Sequence, residues 1–132
     1  VAMVIGRLTG SKVVGLWGEF WVLITSGMIT IFGIATVLLA TLEFFALMGF
    51  ALIGLGAANI VPILFSAAGM QTVMPASLAI AAVTTTGYAG VLVGPAMVGF
   101  AADLTSLSTA FWLLAGLITL VPATAYLVVN KT

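Results

Sequence analysis

Three long stretches of the 132-residue chain contain no charged side chain, and they constrain the fold more than any other feature. No Asp, Glu, Lys or Arg occurs in residues 20–42, 44–102 or 104–130. About 20 apolar residues in a helix cross a hydrocarbon core about 30 Å thick. A soluble domain could not cover its surface with 5% charged residues when 64% of the chain is apolar. We therefore predict an all-α integral membrane protein with several spans.

The composition also excludes several kinds of function. The chain has three Lys and Arg residues in total and a net charge of zero, so nucleic-acid binding has no electrostatic basis. It has no Cys and no His, which excludes disulfides, Cys/His metal sites and a histidine-containing catalytic triad. We expect the lipid bilayer as the surroundings, and we expect no nucleic-acid partner, no metal, no cofactor and no enzymatic activity.

The uncharged stretches divide into four predicted helices. Glu43 separates the first helix from the second, and residues 103–108 form a polar turn before the fourth. The second helix ends at the loop over residues 69–72, after which Pro75 is well placed to begin the third. The predicted spans cover about residues 20–40, 44–66, 76–102 and 109–129. Such continuous apolar runs do not suit a membrane β-barrel, whose strands alternate apolar and polar residues.

The few charges are consistent with four crossings. Arg7 and Lys12 precede the first span and Lys131 follows the fourth, so four crossings place all three on one side of the membrane. Glu43 and Asp103 fall on the other side. Cytoplasmic loops carry the excess of Lys and Arg. The C-terminus is therefore expected in the cytoplasm.

Residues 6–19 hold two of the three cations and glycines at 6, 10, 15 and 18. We interpret them as a short cytoplasmic loop, because glycine allows tight turns and close backbone approach. The apolar residues 1–5 before it are interpreted as the end of a fifth helix, so we expect a piece of a longer chain. A phosphate-binding loop would need G-x-x-x-x-G-K-[ST], and Val13 stands where that motif has Ser or Thr. A positively charged cytoplasmic loop with no specific function is the simplest interpretation of residues 6–19.

The segment IGRLTGSKVVGLWG resembles the cytoplasmic loop motif of the major facilitator superfamily, roughly Gly-x-Leu-small-Asp-(Arg/Lys)-x-x-x-x-Gly. The motif residues in this chain are Gly6, Arg7, Leu8, Gly10 and Lys12. The Asp of the motif is missing, because Gly10 and Ser11 occupy the candidate positions. Two later segments, GFALIGLGAANIVPILFSAAG and GYAGVLVGPAMVGFAAD, resemble the tenth and eleventh helices of bacterial members.

This resemblance implies a fold and a function. The chain would run from the end of helix 8 through helix 12 of a twelve-helix carrier in the bacterial inner membrane. Such a carrier moves a small solute by alternating access around a site near the midplane. Its partners here would be the missing N-terminal helices of the same chain and an unknown small-molecule substrate. The second and third spans would face the central cavity.

Within the second span, Asn59 and Pro62 are the candidate functional residues. An amide in hydrocarbon must find a partner, so Asn59 either lines the solute pathway or forms a hydrogen bond between helices. Pro62 lacks a backbone donor and frees a carbonyl one turn earlier, which predicts a kink. Ser66 lies on the same predicted face.

The third span contributes polar and small residues. Thr84 and Tyr88 are four residues apart and share a helix face, which suggests solute contacts; Thr85 and Thr86 are weaker candidates. Threonines bonded to their own helix are the structural alternative. Gly90-x-x-x-Gly94 is a small-residue packing pattern, and Gly94-Pro95 predicts a bend.

Two other functions stay open from the sequence. One is a self-contained four-helix membrane protein acting as a dimeric small carrier. The other is a non-transporting membrane assembly subunit. No Asp, Glu, Lys, Arg or His lies deep in any predicted span, so we expect no proton relay within these residues.

Overall fold

The computed structural model describes residues 1–129, and every regular element in that range is an α-helix. The helices are α1 (Ala2–Trp17), α2 (Glu19–Leu39), α3 (Glu43–Ala57), α4 (Ile60–Met70), α5 (Ala76–Leu104), α6 (Leu107–Ile118) and α7 (Leu120–Val129). The predicted all-α fold class is confirmed. Lys131, which the topology argument uses, lies outside the described residues.

Four helical segments are long and apolar enough to cross a membrane. They are Glu19–Leu39, Glu43–Met70, Ala76–Leu104 and Leu107–Ala125. Each matches one predicted span, with ends that differ by a few residues. The number of spans can be predicted from the sequence, because each charged residue placed in hydrocarbon has its own energetic cost and this cost does not depend on how the helices pack.

Two of the four spans are interrupted. In the second, α3 ends at Ala57 and α4 begins at Ile60, so the break lies just before Pro62. In the fourth, α6 ends at Ile118 and α7 begins at Leu120, just before Pro122. Proline cannot donate to the carbonyl four residues earlier, and its ring clashes with that carbonyl. Pro95 behaves differently, since α5 continues through it as one helix of 29 residues.

The predicted loop over residues 6–19 is wrong for most of its length. The chain forms α1 as far as Trp17, and the turn is confined to Gly18, whose φ of 82° suits glycine. Gly6 and Gly10 are buried and do not form turns. A Cβ on Gly6 would lie 2.7 Å from the Ala58 Cβ, so these glycines let α1 pack closely beside the second span.

The α2 helix is at the centre of the packing and lies closest to α3. A Cβ on Gly33 would lie 2.8 Å from the Gly49 carbonyl oxygen, and one on Gly56 would lie 2.7 Å from the Ser26 carbonyl oxygen. Glycine on both helices therefore brings the two backbones into contact, as small residues do between membrane helices. Buried Thr30 donates its hydroxyl to the Ser26 carbonyl at 2.8 Å and needs no partner on another helix.

A hydrophobic cluster joins α2 to the later helices. It consists of Val22 and Leu23 from α2, Ile63 from α4 and Ala125 from α7. In contrast, α5 packs against α4 and α6 and buries one described residue, Ala79. Most of the α5 surface is therefore open, and this surface borders the candidate site.

Candidate functional site

An open groove of about 670 Å³ lies between α4 and α5. It is lined by apolar, aromatic and hydroxyl side chains from both helices. The lining residues are Val61, Leu64, Phe65, Ala82, Val83, Thr84, Thr86, Gly87, Tyr88 and Val91. We call this feature the α4–α5 groove. Its size is within the range of small-molecule sites in proteins.

One face of α5 forms much of the groove wall. Thr84, Gly87, Tyr88 and Val91 follow a spacing of three, four and seven residues, which places them on one side of a helix. Tyr88 is 68% exposed, so the other described helices leave most of its side chain uncovered. Thr84 and Tyr88, the two solute contacts predicted on this span, are thus brought together in the same groove.

The groove threonines direct their hydroxyl protons into their own helix. Thr84 Oγ1 donates to the Ile80 carbonyl, and Thr86 Oγ1 donates to the Ala82 carbonyl, each at 2.8 Å. A threonine hydroxyl has one proton and two lone pairs. These two oxygens can therefore still accept hydrogen bonds from a ligand, although their donors are occupied.

The α4 wall consists of Val61, Leu64 and Phe65, and sequence reasoning did not single these residues out. They follow a spacing of three and four residues, which is the available signal. This signal is weak, because almost every position of an apolar span gives the same pattern. Only the position of α5 distinguishes this face of α4 from a face that meets lipid.

Asn59 is not among the groove-lining residues. It precedes α4 at the helix break, and its carbonyl accepts a hydrogen bond from the Ile63 amide at 3.2 Å. A Cβ on Gly10 would overlap the Oδ1 atom of Asn59, so the amide lies directly against α1. The Asn59 side chain therefore contacts α1, and its role in the solute pathway stays a prediction.

Ser66 connects α4 to α2. Its hydroxyl donates to Glu19 Oε1 at 2.8 Å, and both residues are partly buried. Glu19 lies in the first turn of α2, where a carboxylate also interacts favourably with the helix dipole. The bond connects the C-terminal half of the second span to the start of the first span. Ser66 directly follows Phe65, which lines the groove.

The motif residues on α1 lie on two faces. Gly6 and Gly10 are buried toward the second span, whereas Arg7, Leu8 and Lys12 are exposed. The glycines therefore serve helix packing. Because Gly6 and Gly10 lie beside Ala58 and Asn59, near the middle of the second span, Arg7 lies beside that span and not in a separate cytoplasmic loop. Among residues 1–129, no group of three His, Cys, Asp or Glu residues could hold a metal ion.

The predicted packing pattern on α5 has no partner within the described chain. A Cβ on Gly90 or Gly94 would meet no atom within 4 Å. Pro95 lies in the same helix, one residue beyond Gly94. These residues extend the exposed face of α5 past the groove.

Three curated proteins are similar to this chain. A protein from Yersinia pestis named as an uncharacterized MFS-type transporter is 49% identical over 125 residues, which is 95% of this chain and 33% of the relative. The resemblance to the major facilitator superfamily is confirmed. An uncharacterized transporter, y4wD, from Sinorhizobium fredii is 34% identical over 85% of this chain and 30% of the relative. Membrane protein MosC from Rhizobium meliloti is 36% identical over 82% of this chain and 26% of the relative.

The major facilitator chain described here spans about a third or less of the length of these curated relatives. No family model and no solved structure matches it. Four helices able to cross a membrane, together with transporter relatives, make it a multi-pass membrane protein of a transporter family. The groove between its second and third spans is the site on which a transport function can be argued.

Proposed function

We propose that this chain works in a secondary active carrier that moves a small solute by alternating access. The α4–α5 groove is the observation that carries the proposal. It is large enough for a small molecule, it is open, and it lies between the two spans that face the cavity in this family. Two of the three relatives are named as transporters, which supports the same function.

The proposed mechanism needs no covalent step. Tyr88 and Thr84 contact the solute from α5, and Phe65 contacts it from α4. The break between α3 and α4 separates a half-span held against α1 and α2 from a half-span that forms the groove wall. Rocking of the carrier would then expose the groove to one side of the membrane at a time.

The partners and location belong to the same proposal. The exposed α5 face, with Gly90 and Gly94, would pack against spans that the relatives have outside the matched region. The carrier would lie in the bacterial inner membrane with its C-terminus on the cytoplasmic side. Residues 44–102 contain no Asp, Glu, Lys, Arg or His, so a coupling charge would come from elsewhere in the carrier.

Cysteine accessibility tests the mechanism in a complete gene product from which any other cysteines have been removed, since these 132 residues contain none. In the complete gene product, we expect Tyr88→Cys to react with a membrane-impermeant thiol reagent in both right-side-out and inside-out vesicles. Thr30→Cys is the control, since Thr30 is 2% exposed between α2 and α3 and should stay unreactive. Reaction of Tyr88→Cys from one side only, or from neither, would contradict alternating access at this groove.

A further inference from the structure

The groove side chains offer apolar surface, two threonine oxygens whose protons are already donated, and one tyrosine hydroxyl, but no charge. The groove is lined from α4 and α5, whose sequence contains no acidic, basic or imidazole side chain between Phe44 and Ala102. The only groove-lining side chains with polar atoms are Thr84, Thr86 and Tyr88. An ion moved from water into such a site would lose its hydration without gaining a counter-charge from the groove-lining side chains.

The direction of the threonine hydrogen bonds makes this chemistry more specific. Because the Thr84 and Thr86 protons are donated to the carbonyls of Ile80 and Ala82, the exposed part of each hydroxyl is an oxygen lone pair. A ligand that presents only acceptors would find no donor at these two positions, and among the groove side chains only the Tyr88 hydroxyl could donate to it. A ligand with an N–H or O–H group would find an acceptor at each.

We propose that the α4–α5 groove selects the uncharged, largely apolar or aromatic part of a solute that carries a hydrogen-bond donor. The apolar body lies against Val61, Leu64 and Phe65, and the donor points to the hydroxyl oxygen of Thr84. This inference rests on the proposed function, because it names the class of solute bound at the same site.

A set of three related dyes separates the elements of this proposal. N-phenyl-1-naphthylamine is neutral and aromatic and has one N–H donor. Its N-methylated analogue lacks the donor. In contrast, 5-anilino-1-naphthalenesulfonate keeps a free donor, because its sulfonate lies on the other ring away from the N–H, and adds a negative charge. Gly87→Cys in the complete gene product serves as the reporter, because a Cβ at Gly87 meets no atom within 4 Å and the position lines the groove.

The measurement is the dye concentration that halves the rate of thiol labelling at Gly87→Cys in membrane vesicles. We expect the neutral N–H dye to protect at about 3- to 10-fold lower concentration than its N-methylated analogue, which is the effect of one hydrogen bond. We expect the sulfonate to give no protection at the same concentrations. Protection by the sulfonate equal to that by the neutral dye would overturn the proposal.

Variants of Thr84 assign the hydrogen bond. Thr84→Val in the reporter background should remove the preference for the N–H dye, and Thr84→Ser should restore it, since serine keeps the acceptor. Thr25→Val is the matched control, because Thr25 makes the same bond to its own helix, to the Trp21 carbonyl at 2.9 Å, but lies outside the groove. Each dye partitions into the lipid to the same extent whichever variant the vesicles contain. Partitioning therefore cancels when the preference for the N–H dye is compared between variants.

The outcomes distinguish this inference from the transport function. If Thr84→Val keeps the full preference for the N–H dye, the selectivity does not come from Thr84 and the inference is wrong. If Tyr88→Cys reacts from both sides while the sulfonate protects Gly87→Cys, alternating access stands and only the solute class is overturned. An unreactive Gly87→Cys would show that the groove is covered, and both the site and its selectivity would be rejected.

Discussion

Replacing Gly33 with alanine tests the close contact between α2 and α3. In the structure, a Cβ at this position would lie 2.8 Å from both the Gly49 carbonyl oxygen and the Ile53 amide nitrogen. Ordinary contact begins at about 3.4 Å, and both neighbours are backbone atoms that cannot rotate away. The helices must therefore separate, and overpacking of this kind costs about 1–3 kcal/mol.

The matched control is Gly99→Ala on α5. A Cβ there meets no atom within 4 Å, and both substitutions gain the same helix propensity, about 1 kcal/mol at most. The difference between the two variants therefore isolates the packing cost. We expect Gly33→Ala to lower the free energy of unfolding by about 1–3 kcal/mol relative to Gly99→Ala.

Unfolding of the detergent-solubilised protein by a denaturing detergent, followed by the loss of helical circular dichroism, measures this difference. Equal stability of the two variants, within about 0.5 kcal/mol, would refute the reasoning. It would mean that α2 and α3 are not held at backbone contact by Gly33 and Gly49.

Three further predictions concern the contacts around α4 and α1. A double-mutant cycle of Ser66→Ala and Glu19→Ala should give a coupling energy of about 0.6–1.7 kcal/mol in the same unfolding measurement, and additive effects would exclude the bond. Pro62→Ala should restore the missing donor and slow amide exchange across residues 58–62, whereas unchanged exchange would show that another feature breaks the span. Gly6→Ala should lower the free energy of unfolding more than Gly10→Ala does. The Cβ added at Gly6 meets the rigid Ala58 Cβ, whereas the one added at Gly10 meets the mobile end of the Asn59 side chain. The reverse order of stability would contradict the packing of α1.

Proline shows how far local sequence predicts local structure. The chain breaks just before Pro62 and Pro122 but not near Pro95. All three prolines lack the same backbone donor, so the local rule identifies the positions that can break. Whether a helix does break depends on its neighbours. The α4 and α7 helices contact α2, whereas most of α5 is open.

The glycines also show that a local sequence pattern does not decide which helices pack together. Gly90-x-x-x-Gly94 follows the packing pattern expected between membrane helices, yet both positions are open in the described chain. Gly33 and Gly49, which lie on different helices and form no motif together, meet at backbone contact. Gly6 and Gly10 are predicted to lie in a loop, whereas they lie within α1 and pack it beside the second span.

The sequence by itself determined that the chain is helical, that it has four spans able to cross a membrane, and that the interiors of those spans carry no charge. These properties depend on the cost of placing individual residues in hydrocarbon, which is additive along the chain. The tertiary structure alone decided which faces of these uniformly apolar helices meet one another. It placed Thr84 and Tyr88 opposite Phe65 in a groove and turned Asn59 toward α1, because close packing is a property of pairs of surfaces and not of a residue pattern.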